Sequence, residues 1–352
     1  MNKLFDFSEY KEITVEEPIV DMSPNAIEYY TKLEGIHYNK NTSFSVDLAR
    51  LDSINSRYSV TSSLIANLRE YGINPQVANY IKSNYNTSSI NLLINDEDSL
   101  QYGKNTKLAN EVAYALEAIN WKKLKDDLIN FLKAIWDKFV KFITPYIKDA
   151  QLGWRINSAN KKYQKLKNKE IGSVQFYNYN GIPQKSVMLK FVKDIQQSVY
   201  SGLAKYKLES DDIFKIKDET EKMLVEFNGF YNWILTDNGG YEKSKAKDLT
   251  HANIEYKDLV STSSDSFYSI AFRALDWIKN SRGIFDKLEL NTQLVEKHLN
   301  SLDENELHNV TNIDACREVL TNYSRVIQVV QLVVSKNIEI INTYCTLLNN
   351  MG

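Results

Sequence analysis

Residues 121–148 read WKKLKDDLINFLKAIWDKFVKFITPYIK, the strongest amphipathic segment of the chain and its most basic one. Trp121, Leu124, Leu128, Phe131, Ile135, Phe139, Phe142 and Tyr146 recur in steps of three and four. That spacing puts side chains on one face of an α-helix. Leu132, Trp136 and Ile143 widen the face, while the lysines fall mostly on the other. Pro145 sits in the last turn, where a missing backbone donor bends or ends a helix. A stripe this long and this aromatic specifies a core helix, and it sets the fold class as mainly α.

The same period recurs toward the C-terminus. It runs over Val187–Tyr206, Asp211–Leu235, about Asp265 to Asn280 and Gly283 to Asn300, with a break at Asp237-Asn238-Gly239-Gly240. The longest stripe is the last: Ile313, Cys316, Leu320, Tyr323, Ile327, Val330, Val334, Ile338, Ile341, Cys345 and Leu348. Valine and isoleucine are weaker helix formers, so tertiary packing has to hold this segment helical. These stripes predict an antiparallel helical bundle of long amphipathic helices over 121–352. One stretch differs. In IGSVQFYNYNGIPQK (171–185) bulky residues alternate by two, and Asn180-Gly181 is a turn pair. A small β-hairpin near 173–184, or an extended crossover, is expected there.

Toward the N-terminus, Leu108, Val112, Ala115, Leu116 and Ile119 form a second stripe whose register shifts after Asn120. A hinge is expected at that residue, separating an acidic N-terminal segment, 1–120, from the body, 121–352. Within the segment, Asn74-Pro75 reads as an N-cap with proline at the first helical position. Thr61 or Ser62 reads as the cap of SLIANLREY, a helix ending at Gly72. SINLLIN (89–95) fits a short helix or a strand. Residues 1–58, with Pro18, Pro24 and the polar NKNTSFS at 39–45, read as mostly irregular.

The charge layout follows the same division. Residues 1–120 hold 10 Lys+Arg against 16 Asp+Glu, a balance of −6. Residues 121–170 hold 13 against 5, or +8, and 171–352 hold 20 against 24, or −4. The net charge of −2 conceals a basic middle between acidic flanks. The N-terminus has no apolar run of signal-peptide type, and no segment reaches the length of a bilayer span. Cys316 and Cys345 lie on one predicted helix, about 40 Å apart if it is continuous, which excludes a bridge between them and predicts buried free thiols.

Local chemistry motifs are scarce. His37, His251, His298 and His308 show no metal-ligand spacing, and the chain contains no phosphate loop, dinucleotide fingerprint or nucleophile elbow. No catalytic residue, cofactor or metal is expected. Ser261-Thr262-Ser263 followed by Glu304-Asn305-Glu306 is similar to two motifs of ADP-ribosyltransferases. That family carries them on a β-sandwich, which this helical pattern opposes.

The basic middle admits three roles. Its lysines are the solvated face of a core helix. Or Arg155, Lys161, Lys162, Lys165, Lys167 and Lys169, which follow the helix, make a patch for nucleic-acid phosphates without sequence preference. Or the helix lies on a membrane surface, as in helical pore-forming toxins. The abundance of other apolar faces able to bury the stripe counts against the membrane.

ALEA (115–118), then WKKLKDDLINFLKAIWDKFVKFI, then NKKYQKLKNK (160–169) resembles the internal head proteins, or prohead core proteins, of large tailed bacteriophages. The resemblance implies a non-enzymatic virion protein inside the head, made in the host cytoplasm and acting in core assembly, beside the DNA or in ejection. It implies capsid and other head proteins, packaged DNA and further copies of the chain as partners. It also implies a prohead-protease site at Ala115-Leu116-Glu117, cut after Glu117. Losing 1–117, which carries a balance of −6, would leave +4, a charge suited to packaged DNA.

Overall fold

The computed structural model describes residues 25–94, 106–148, 157–158, 161, 173–177, 185–235, 251–255, 263–303 and 310–349. The described chain is mainly α-helical. In order it forms α1 (Asn25–Tyr71), α2 (Pro75–Asn84), α3 (Ser88–Ile94), α4 (Thr106–Lys148) and strand β1 (Ser173–Tyr177). Then come α5 (Lys185–Lys190), a π turn (Phe191–Ile195), α6 (Gln196–Lys205) and α7 (Ile213–Leu235). Strand β2 (His251–Glu255) precedes α8 (Phe267–Asn280), α9 (Arg282–Ser301) and α10 (Val310–Asn349). Two compact units result, Met1–Asp47 and Leu48–Gly352.

The first correction concerns α1. Residues 25–58, expected to be irregular, belong to a helix that continues to Tyr71; residues 1–24 lie outside the described part. From Leu51 the reason is visible. Leu51, Ile54, Ile65 and Leu68 are buried, with half-buried Tyr58 and buried Thr61 completing steps of three and four. Thr61 therefore caps nothing. Its hydroxyl donates to the Arg57 carbonyl (3.0 Å) and shares a 2.6 Å bond with the Tyr85 hydroxyl. The stop at Gly72 is as expected: φ is 81°, and its N–H donates to the Leu68 carbonyl at 2.9 Å. Asn74 likewise caps α2, its Oδ1 accepting from Val77 N–H at 2.9 Å with Pro75 following. The ambiguous 89–95 segment is helical as far as Ile94; Asn95 lies outside the described residues.

The hinge expected at Asn120 is also absent, because α4 passes through that residue without interruption. What changes there is the core. Ile65, Leu68, Ile73, Ala78, Ile81, Ile90, Ile94, Leu108, Ala109, Val112, Ala113 and Leu116 make one small core. Leu51, Ile54 and the α4 stripe from Trp121 to Ile143 enter a second, larger core with the remaining helices. A helix serves two cores by presenting a new face to each, which needs a shift of stripe and no break in its hydrogen bonds.

Packing directions follow from named contacts. Arg57 meets Asp127 and Arg69 meets Glu117, so α1 and α4 run antiparallel. Lys125 reaches Asn300, Lys133 reaches Glu296 and Phe139 meets Phe285, so α4 and α9 do too. By contrast α6 and α8 are parallel, with Gln196 on Arg273 and Tyr200 on Asn280. The N–H of Gln196 closes the π turn by donating to Phe191 O. The Gln196 carbonyl accepts from the Trp277 indole at 3.0 Å, and its side-chain amide donates to Arg273 O at 2.9 Å. Two residues of α8, Arg273 and Trp277, thus hold Gln196, which pins the extra residue of the π turn against α8.

The extended segment near 173 is present, and its partner among the described residues is a distant strand. β1 pairs antiparallel with β2, from Ser173 opposite Glu255 to Tyr177 opposite His251. The turn pair Asn180-Gly181 lies outside the described residues. A two-residue turn signal specifies local pairing only where the next segment supplies a matching strand, and here the partner comes from beyond α7.

α10 packs along α7 and α8 and also touches α4. From Val326 to Leu348 nearly every described side chain is buried or half-buried. Burial on every side offsets the modest helix propensity of its valines and isoleucines.

Candidate functional site

α4 presents two faces of opposite character. Trp121, Leu124, Leu128, Phe131, Leu132, Ile135, Phe139 and Ile143 are buried in the larger core. Trp121 lies against Tyr58, with ring centroids 5.0 Å apart, and Phe139 meets Phe285 edge-on at 6.0 Å. Burying each of these side chains contributes about 2–3 kcal/mol. The exposed face carries Lys122, Lys123, Asp126, Lys133, Asp137, Lys138 and Lys141.

Two lysines of the helix have structural tasks. Lys125 Nζ donates to the carbonyls of Asn300 (2.5 Å) and Leu302 (3.2 Å), capping the negative end of α9. Lys133 pairs with Glu296 at 2.9 Å, and the bond to that carboxylate raises its pKa. The pair is open to solvent and adds little stability. Lys122, Lys123, Lys138 and Lys141 remain on the surface, interleaved with Asp126 and Asp137. Because the aromatic side chains point into the core, this face can meet phosphates but offers no stacking platform for bases.

Of the basic extension, Lys161 is described and exposed. Arg155, Lys162, Lys165, Lys167 and Lys169 lie outside the described residues.

Ala115, Leu116 and Glu117 fall inside α4, in its N-terminal third. Leu116 is 0% exposed, and Glu117 accepts a 2.6 Å bond from Arg69 on α1. Proteases cut exposed, locally unfolded chain. Cleavage after Glu117 therefore requires α4 and the small core to open first.

The two serine-rich and acidic motifs do not form a site in the described part. Ser261, Thr262, Glu304, Asn305 and Glu306 lie outside it, and Ser263 accepts the Ser266 N–H at 3.2 Å in the turn before α8. Ser266 then caps α8 by accepting from Ser269 N–H at 3.1 Å. Cys316 and Cys345 are buried thiols on α10, and burial pushes the Cys316 thiol up to about 12. Among the described residues no group of three or more His, Cys, Asp or Glu side chains is placed to hold a metal ion. No helix of the described part is long and apolar enough to cross a membrane.

The most unusual polar group was not singled out from the sequence. Lys336 and Glu339 form an ion pair of 3.1 Å on α10, with side chains only 5% and 10% exposed. The available signal was that VVQLVVSKNIEII carries these two charges alone, three residues apart, on an otherwise uncharged run.

No protein-family model matches this chain, and neither a curated protein nor a solved structure is similar to it.

Proposed function

We propose that this is a non-enzymatic protein of the interior of a tailed-phage head, acting through protein contacts and non-specific contact with packaged DNA. The observation that supports it is the division of α4. Its aromatic stripe is packed into the protein's own core, and Lys122, Lys123, Lys138 and Lys141 are exposed on the other face, just before the basic stretch 155–169. A helix in that arrangement suits a polyanion and leaves no apolar face for a bilayer. Processing after Glu117 belongs to the same proposal, with opening of the small core as the preceding step.

Two measurements test it. Purified protein should be retained on duplex DNA with an affinity that falls steeply with salt and does not depend on sequence, and it should not release dye from liposomes. Mass spectrometry of virions should find the chain among the internal proteins. Liposome release at low concentration without DNA retention would instead favour a membrane-active protein.

A further inference from the structure

α10 carries a second stripe, a polar one. Ser324, Gln328, Gln331, Ser335, Glu339 and Asn342 recur in steps of three and four, and each is buried or half-buried. A polar face with this spacing ordinarily lies in water. Here it lies inside the protein, and its weight falls on the C-terminal half. Between Ser335 and Thr343 the helix buries Ser335, Lys336, Asn337, Asn342 and Thr343, with Glu339 little more exposed.

Several of these groups are poorly served by the folded state. Glu339 bonds Lys336 through Oε1, but its Oε2 is buried with no hydrogen-bond partner. Asn337 is fully buried; its amide donates to the Val333 carbonyl while its Oδ1 accepts nothing. Burying a charged pair costs solvation that its contacts inside the protein only partly return. A buried acceptor left unpaired adds a further penalty. Water would satisfy all of them.

The N-terminal half is built differently. Tyr323 is buried with its hydroxyl satisfied, donating to Leu288 O at 2.6 Å beside Thr292 Oγ1. Arg317 pairs with Asp52 at 2.7 Å and Glu318 with Lys217 at 2.6 Å, tying that half to α1 and α7. From Val326 to Val334 the buried positions are almost entirely valine, isoleucine and leucine. The two halves of one continuous helix therefore differ in what they lose on exposure.

We propose that the C-terminal half of α10, from Ser335 onward, is a separable element that leaves the bundle as a unit, with the Lys336–Glu339 pair and Asn337 as the groups that favour its release. Opening exposes Ile338, Ile340, Ile341 and Leu348, at a cost, but rehydrates the ion pair and both orphan oxygens. The N-terminal half gains no such return. Regions that move in a fold are drawn from the segments with the smallest opening free energy.

Native-state hydrogen exchange on the full chain tests this. The amides of 335–345 are expected to exchange at least about tenfold faster than those of 319–333, and to share one rate and one denaturant slope. In the double variant Lys336→Met/Glu339→Leu, exchange of 335–345 should slow toward that of 319–333, with 319–333 unchanged. Asn337→Leu serves the same purpose through a different group if the double variant does not fold. Equal protection of both halves in the unaltered chain would overturn the proposal. So would rates that rise residue by residue toward the C-terminus, which is fraying, or a variant that slows both halves alike.

Discussion

α4 and α10 are two helices of about the same length, 43 and 40 residues, with apolar stripes of the same period, yet α4 keeps a wet face from Lys107 to Lys141 whereas α10 has none among its described side chains from Val326 to Leu348. The difference is written in the polar positions. Those of α4 between the core residues are lysine and aspartate, side chains whose charges hold them in water. Those of α10 are mostly glutamine, serine, asparagine and threonine, which can be buried at moderate cost when hydrogen-bonded. Periodicity locates the face that meets the core. The chemistry of the other positions decides whether the opposite face meets a second layer of protein.

The sharpest way to break this comparison is to remove one member of an ion pair on each helix. Lys336→Met strands a buried carboxylate on α10 and is expected to cost about 3–5 kcal/mol. Lys133→Met removes the solvent-exposed partner of Glu296 on α4 and is expected to cost far less. Chemical denaturation of the two variants side by side gives the ratio. Equal losses would mean that the burial of Lys336 carries no energetic weight.

A second comparison sets the two cores against each other along α4. Ile90 is fully buried in the small core, and its change to alanine is expected to cost about 2–5 kcal/mol. Hydrogen exchange should place the loss in α2, α3 and the N-terminal part of α4, leaving α7 and α8 protected. A uniform loss across the chain would show that the shared helices weld both cores into one cooperative unit. The result bears on the proposed cut after Glu117, because the small core must open before Leu116 and Glu117 become accessible.

How much of this was legible in the sequence depended on whether the cause was local. The caps at Gly72 and Asn74 and the helices after Val187 are set by nearby residues, and the sequence pattern places them correctly. α1 from Leu51 was also encoded, in the spacing of Leu51, Ile54, Tyr58, Thr61, Ile65 and Leu68. It was obscured because Thr61, a good capping residue, sits on the buried face and satisfies its hydroxyl through Tyr85. The stripe shift at Asn120 was visible, but a shift of face and a break in a helix look alike in one dimension. Pairing of β1 with β2 and the π turn depend on distant segments, on β2 and on α8, so no local signal could supply them. For the candidate face, the lysine pattern on α4 was legible in full, whereas the place of Lys336 and Glu339 inside the bundle was not.

Alkaline stability sharpens the description of α10 from its other half. Burial raises the Cys316 thiol from about 9 to about 12, so the folded state resists its ionisation. The unfolded thiol ionises first, and the stabilisation present below pH 9 is lost as pH rises toward 12. By pH 10 this group alone should cost about 1–2 kcal/mol. Buried Tyr206 and Tyr323, both raised mainly by desolvation, act in the same direction at higher pH. Cys316→Ala should therefore show a shallower decline between pH 9 and 10 than the unaltered chain, and a parallel decline would mean that the thiol is hydrated in solution.

The smallest effect on stability is expected where the functional proposal is most exposed to test. Lys122, Lys123, Lys138 and Lys141 sit on the wet face of α4, and replacing any one with glutamine should change stability by no more than about 0.5 kcal/mol. If that face meets DNA, each neutralised lysine removes about one phosphate contact. The slope of log affinity against log salt should then shallow by about 0.9 per lysine, with no change in sequence preference. A slope that stays constant while Lys161→Gln changes it would move the contact to the basic stretch beyond α4. A slope unmoved by either would leave the lysines of α4 as the solvated side of a core helix and remove the DNA contact from the proposed function. The same fold would then be retained for its protein contacts alone.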